Sequence, residues 1–243
     1  MRTTLRWVGV GTHLVRGCAV ASRFPTHTPV QRHAAVERWS QGLLTALGVQ
    51  PRVQGEPQQG PVLVVSNHVS WLDPATLHAA NGRLRFVAKS EVRGWPLIGW
   101  LAAQSGGLFV RRDNQRDVLR VVQTVAQALT GGDAVAFFPE GTTGHGPELK
   151  PFHANLLEAA IAAGVPVQPV LLRYTQPGQA FAKAARYVDG MTLVGSFGRM
   201  ARTPGLGVAV DWLPAVTPNG YSRRALATQL REQMQAGLNQ ALP

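Results

Sequence analysis

The sequence predicts an α/β fold: a single domain with a mostly buried, largely parallel mixed sheet flanked by helices, preceded by an amphipathic helical segment at the amino end. Three observations lead there. Short apolar runs of β type recur at 61–66, 84–88, 108–110, 134–138, 165–172 and 208–212. Helical patterns lie between them, near 74–80, 96–104, 115–129 and 153–163. Strands that are apolar on both faces and separated by helices belong to sheets covered by helix layers on both sides. The length, 243 residues, suits one domain and is enough to bury a core without a disulfide or metal staple.

The first 25 residues begin basic, with Arg2 and Arg6, and continue apolar through Trp7, Val8, Val10, Leu14, Val15, Cys18 and Val20. His13, Arg16 and Arg23 interrupt this run, so it lacks the roughly 18–20 unbroken apolar residues of a spanning helix. It also lacks the clean apolar region and cleavage site of a signal peptide. Leu5, Val8, Leu14 and Val15 are assigned to one helical face with arginines flanking it, the pattern of a helix lying in a membrane interface. A second amphipathic helix carries Val36, Trp39, Leu43, Leu44 and Leu47, and Gly48 stops it. Such a pair could instead pack on the protein's own core; peripheral membrane contact is the preferred reading. The division that follows is a docking segment over 1–50 and a main domain over 51–243.

Gly55–Gly60, rich in Gln and Pro, reads as a connector. The Gly-rich stretch 174–207 reads as excursion loops with a short strand near Met191–Val194. Ser222 opens a final amphipathic helix, reaching about Leu242, with Leu226, Leu230 and Met234 spaced four apart.

Composition narrows the function. Lys plus Arg total 24 against 13 Asp plus Glu, a net charge of +11, and only Lys89, Lys150 and Lys183 are lysines. Arginine's planar fork suits phosphate, so nucleic acid, an anionic membrane or a phosphorylated substrate are all compatible partners. Cys18 is the only cysteine, which excludes an internal disulfide and a Cys-rich zinc site. No GxGxxG or GxxxxGK[ST] loop occurs, and the histidines show no metal-ligand spacing.

Polar clusters at the ends of apolar runs carry the chemistry. After 62–66 comes Asn67-His-Val-Ser-Trp-Leu-Asp73, followed by Pro74. Asp73 suits an N-cap and Pro74 a first helical position, so 67–72 forms a turn at the carboxyl edge of a strand, where open α/β sheets bind ligands. His68 and Asp73 can converge across that turn, the carboxylate holding one ring nitrogen and freeing the other as a base. The plainer alternative is that Asp73 only caps the helix and His68 satisfies a backbone group. A second run ends in Phe138-Pro-Glu-Gly-Thr142, and a third, Gly106-Gly-Leu-Phe-Val-Arg-Arg112, ends in paired arginines that could meet a phosphate.

Together these runs resemble the glycerolipid acyltransferase family of the acylglycerophosphate acyltransferase type. Its HxxxxD motif is similar to His68 through Asp73, its GxxFxxR block to Gly106 through Arg112, its FPEGT block to Phe138 through Thr142, and its Val-Pro-[Ile/Val]-x-Pro-Val string to Val165 through Val170. The resemblance implies transfer of a fatty acyl group from acyl-CoA or an acyl carrier protein to a lysolipid hydroxyl. The acceptor it first implies is 1-acylglycerol-3-phosphate, giving phosphatidic acid. It implies His68 as base and Asp73 as its orienting partner, with Asn67, Arg111, Arg112, Phe138, Pro139, Glu140, Gly141 and Thr142 around the substrates. It implies no metal and no cofactor beyond the acyl donor. Backbone N–H groups near Glu140–Gly141 or at the helix after Asp73 would stabilise the oxyanion. The amphipathic amino end is similar to the membrane-docking helices of such enzymes, and the Ala- and Arg-rich composition suits a peripheral or monotopic place on the cytoplasmic face of a bacterial inner membrane, with the membrane surface as partner and no nucleic acid.

The chain departs from lysophosphatidate-specific members at Thr143 and His153, where those carry Arg and Lys. Arg111, Arg112 or Lys150 could compensate, or the acceptor could be another lysolipid such as lyso-ornithine lipid. Two other classes stay open: a lipid hydrolase using Ser70, which lacks a GxSxG elbow, and a basic protein that binds anionic lipid without turnover.

Overall fold

A computed structural model describes residues 2–95, 97–110, 115–188 and 190–240. In chain order the elements are α1 (Arg2–Ala21), α2 (Pro29–Leu47), β1 (Gln50–Gln54), β2 (Val62–Ser66), α3 (Asp73–Ala80), β3 (Leu84–Lys89), α4 (Ile98–Gln104), β4 (Leu108–Val110), α5 (Gln115–Thr130), β5 (Ala134–Phe137), α6 (Leu157–Ala163), β6 (Val167–Thr175), α7 (Leu193–Arg202), β7 (Gly207–Trp212) and α8 (Arg223–Asn239). The seven strands form one sheet in the order β1-β7-β6-β2-β5-β3-β4. Neighbours pair parallel except β6 with β7, which run antiparallel.

Period-2 alternation divides the core into two faces. Val62 and Val64 of β2 join Ala134, Ala136, Val170 and Leu172 beneath α2, α3 and α7. Leu63 and Val65 join Val135, Phe137 and Leu171 beneath α5, α6 and α8. All five residues of β2 are buried, as a central parallel strand requires.

The first two helices cross closely because each offers the other a glycine. A Cβ on Gly17 would lie 2.3 Å from the Trp39 indole nitrogen, and one on Gly42 would lie 2.4 Å from the His13 ring. The two aromatic side chains lock the crossing reciprocally: Trp39 Nε1 donates to the His13 carbonyl, and His13 Nε2 lies 2.7 Å from the Trp39 carbonyl. A capping box of Thr28 and Gln31 opens α2, and Gly48, at φ 71°, closes it. Leu43, Leu44 and Leu47 then enter the main core. Along α1 the apolar residues split. Leu5, Val8 and Val15 are exposed, whereas Leu14 packs inward, because at 100° per residue Leu14 sits about a quarter turn or more from the other three. The assignment of all four to one face is corrected accordingly. Among the described residues no helix is long and apolar enough to cross a membrane.

Three further expectations are corrected. The segment 191–194 is not a strand: α7 begins at Leu193, capped by the Thr192 side chain, and burial of Phe197, Met200 and Ala201 overrides the low helix propensity of Gly195 and Gly198. The polar segment 50–54 is a strand, β1, exposed along most of its length at the sheet edge, where apolar patterning is not needed and the missing N–H of Pro51 is tolerated. Asp73 is the first residue of α3 rather than its cap, Leu72 holding the cap position. The carboxyl end expected near Leu242 falls partly outside the described residues; α8 itself is capped by Ser222 and buries Leu226, Leu230 and Met234.

His78 of α3 is buried, donates from Nε2 to the Leu84 carbonyl at 2.9 Å, and meets the Phe86 ring edge-on. Burial, helped by His33, pushes its pKa down to about 4 from 6.5, against the pull of the Leu84 carbonyl. The folded state thus holds it neutral while the unfolded chain protonates it. Stability present above pH 6.5 should be lost as pH falls toward 4, at up to about 1.4 kcal/mol per pH unit from this one proton. Urea unfolding across that window should show the loss, and His78→Gln should flatten it.

Candidate active site

The parallel strands β2, β5 and β3 end on one edge of the sheet, and the polar clusters leave from there. Asn67 sits one residue beyond β2. Its carboxamide donates to the Leu172 carbonyl at 2.9 Å and accepts from the Leu172 N–H at 2.8 Å. The side chain thereby replaces the next rung of the β2–β6 ladder just where the backbone turns away, so Asn67 aims the turn instead of meeting a ligand.

Asp73 is wholly buried. Its Oδ2 accepts from the Val69 N–H at 2.6 Å and the Ser70 N–H at 2.9 Å, and lies 2.8 Å from His68 Nδ1. A carboxylate only accepts, so Nδ1 carries hydrogen and the Nε2 lone pair is left for another partner. Oδ1 accepts from the Tyr174 hydroxyl at 2.8 Å. Position in the first turn of α3 adds a favourable helix dipole. The His68 ring stacks on Phe138, with centroids 4.0 Å apart and planes 11° apart, and Phe138 stacks on Phe86 in turn. The imidazole is thus fixed by a hydrogen bond at one nitrogen and by packing on one face. The His68 side chain keeps 21% exposure, enough for a substrate to reach it.

Glu140 joins the two turns. Its Oε1 accepts from the His68 N–H and its Oε2 from the Lys150 N–H, both at 2.9 Å. Burial raises its pKa above 4.5, while these two amides and the charges of His68 and Lys150 pull it back. With both oxygens taken by backbone, Glu140 acts as a brace between loops. Gly141, at φ 69°, permits the turn after it, and its N–H donates to the Phe138 carbonyl. Pro139 is buried, and Thr142 is exposed at the tip. The loop is stitched to its neighbours by Gly144 N–H to the His68 carbonyl at 2.7 Å, by the Thr143 hydroxyl to the Tyr187 carbonyl, and by Lys150 Nζ to the Thr143 carbonyl at 2.7 Å. Arg111 and Arg112 lie outside the described residues.

Of the amides expected to serve an oxyanion near Glu140–Gly141, that of Gly141 is engaged by the Phe138 carbonyl; in the neighbouring turn those of Val69 and Ser70 are engaged by Asp73 and that of His68 by Glu140. Ser70 is fully buried, and its Oγ accepts from the Leu72 N–H at 3.3 Å, which leaves it unfit as a hydrolase nucleophile. Beside Phe138 and Pro139 a cavity of about 250 Å³ is lined by Val118, Val121, Leu156 and the exposed His153.

Tyr174 is the member of this group that sequence reading misses. It lies 101 residues beyond Asp73, on β6, and its hydroxyl also meets Thr76 Oγ1 at 3.1 Å. Desolvation and the neighbouring Asp73 carboxylate hold its pKa well above 10, so it remains a neutral donor. A buried Tyr near the end of a strand was the only trace available in the sequence, and it is equally the mark of ordinary core.

Three comparisons with known proteins bear on this geometry. The family model described as Acyltransferase matches residues 50–173. The chain is 36% identical over 233 residues, covering 95% of it and 89% of the relative, to a lyso-ornithine lipid O-acyltransferase of Pseudomonas aeruginosa. It is 34% identical over 212 residues, covering 86% of it and 82% of the relative, to a 1-acyl-sn-glycerol-3-phosphate acyltransferase of Neisseria meningitidis serogroup B. The fold superimposes on the crystal structure of the 1-acyl-sn-glycerophosphate (LPA) acyltransferase of Thermotoga maritima with a TM-score of 0.74 at 23% identity, covering 97% of this chain and 92% of that one.

Two substitutions test the brace and the anchor. Tyr174→Phe should leave Asp73 Oδ1 short of a buried donor, costing about 1–3 kcal/mol in urea unfolding and lowering kcat with little change in KM. Glu140→Gln should turn an amide N–H₂ against a backbone N–H, with a kcat loss of about tenfold or more in the same assay.

Proposed function

The chain belongs to the acyltransferase family, and on that premise we propose that it acylates a lysolipid hydroxyl at a membrane surface, with His68 as general base. The observation that carries this reading is the Asp73–His68 pair: a buried, four-times-satisfied carboxylate holds Nδ1–H and leaves the Nε2 lone pair for another partner.

The chemistry follows from the weakness of an alcohol as a nucleophile. His68 Nε2 takes the acceptor's hydroxyl proton as its oxygen attacks the thioester carbonyl of acyl-CoA or acyl carrier protein. Asp73 stabilises the imidazolium that forms. Collapse of the tetrahedral intermediate expels the thiolate, which takes the proton from His68 Nε2, leaving the ester. The cavity lined by Phe138, whose ring stacks on His68, offers the acyl chain a place.

1-Acylglycerol-3-phosphate is the first acceptor to consider, in keeping with the neisserial relative's name. A second reading, lyso-ornithine lipid, is favoured by one observation. Lys150 Nζ is engaged by the Thr143 carbonyl and the Thr143 hydroxyl by Tyr187, so neither is idle beside the turn as a phosphate ligand. A peripheral place on the cytoplasmic face of a bacterial membrane accommodates both, since each acceptor is a membrane lipid.

Turnover of labelled long-chain acyl-CoA, and then acyl carrier protein, should be measured on vesicles carrying each of these lysolipids. Diacyl product is expected, reduced about 10²–10⁴-fold in His68→Ala. Normal activity in that variant would remove His68 from the role of base, and the preferred lysolipid would decide the acceptor.

A further inference from the structure

We propose that Trp95, Leu97 and Trp100 form a membrane-inserting foot of this protein, separate from α1, and that its occupant is the interface of an anionic bilayer. Trp95, Leu97 and Trp100 are 45%, 38% and 40% exposed, three large apolar side chains within six residues. Monomeric surfaces carry single exposed apolar residues routinely, whereas a cluster of Trp and Leu marks an interaction site. Tryptophan pairs an apolar body with an N–H and concentrates at membrane interfaces for that reason.

The backbone is built to hold this cluster out. Leu97 is, among the described residues, the only non-glycine with positive φ, at 64°, a conformation that costs a leucine free energy and persists where the surroundings enforce it. The surroundings are visible. The Gly99 N–H donates to the Trp95 carbonyl and the Leu101 N–H to the Leu97 carbonyl. A Cβ on Gly99 would come within 2.4 Å of the Val92 and Arg93 carbonyls, so the start of α4 is folded tightly against the preceding turn.

Position and charge identify the occupant. The turn Ser90–Gly94 leaves the carboxyl end of β3, and β3 is separated from β2 only by β5. The foot therefore departs from the catalytic edge, about 10 Å along the sheet from the strand that delivers His68. On its inner side α4 meets the end of α1 and α2, where Leu101 packs against the Ala21, Phe24, Ala35 and Val36 cluster. It thus abuts the carboxyl end of the helix that exposes Leu5, Val8 and Val15. Exposed Lys89 and Arg93 flank it against one acid, Glu91, which lies 3.2 Å from the Ser90 hydroxyl, and the chain carries +11 overall. An anionic lipid surface complements that balance. The inference rests on the proposed function in one respect: a lysolipid acceptor would enter the site from the same bilayer.

A fluorescent nitrobenzoxadiazole label on Leu97→Cys, in a Cys18→Ser background, tests insertion directly. Its emission should rise several-fold on adding phosphatidylglycerol-containing vesicles, while a label at exposed Leu119→Cys, on α5 beyond the opposite face of the sheet, should not respond. Trp95→Ala/Trp100→Ala should weaken vesicle partitioning by about tenfold or more and keep kcat on detergent-dispersed lysolipid within about twofold of the parent. A silent label at position 97 on vesicle-bound protein, or unchanged partitioning of the double variant, would overturn the proposal. So would a concentration-dependent rise without lipid, which would assign the face to a second copy of the chain. If the label responds but no lysolipid is acylated, the foot stands and the acceptor reading fails.

Discussion

The buried carboxylate of Asp73 is the interaction on which the candidate site depends. A charge with no exposure is tolerated only where its lone pairs are filled, and here four donors converge on it: two backbone amides of the turn after β2, the His68 ring and the Tyr174 hydroxyl. The same contacts that make the charge tolerable shape the turn, choose the His68 tautomer and tie the turn to β6. Removing any one donor leaves a partly unsatisfied charge in the core, so conformation and chemistry at this point are one problem.

Around that centre, several polar groups spend themselves on the scaffold. Asn67 completes a strand ladder, Glu140 bridges two amides, and Ser70 caps the turn. Along the chain Asn67 and Glu140 read as substrate contacts and Ser70 as the nucleophile of a possible hydrolase. Their burial and partners instead make them the means by which His68 is held in place, with Phe138 and Phe86 supplying a stacked floor. Preorganisation of this kind spares a histidine and carboxylate pair the cost of being assembled when a substrate arrives.

The helices at the amino end join two tasks in one piece of structure. α2 buries Leu43, Leu44 and Leu47 in the main core, and α1 is locked on it by the His13–Gly42 and Trp39–Gly17 contacts. Trp7 packs on Phe197 of α7 with centroids 4.0 Å apart, and Trp71, inside the catalytic turn, donates to Ser196 of α7 at 3.2 Å. α7 therefore touches both the exposed helix and the turn that carries His68.

The amino-acid sequence by itself determined the central strands, because β2, β5 and β6 are buried on both faces and must be continuous apolar runs. It also determined where the polar clusters sit: polar residues directly after such runs have no place except the sheet edge, and the spacing of His68 and Asp73 across a turn carries its own geometry. Tertiary structure decided what depends on distant neighbours. β1 has no apolar signature because an edge strand is largely solvated, and α7 hides behind glycines because its helix is maintained by packing. The roles of Glu140 and Asn67, the arrival of Tyr174 from 101 residues away, and the strained Leu97 between two exposed tryptophans all arise only when separate segments are brought together. Local pattern records what a residue can do, and burial and partners decide which of those things it does.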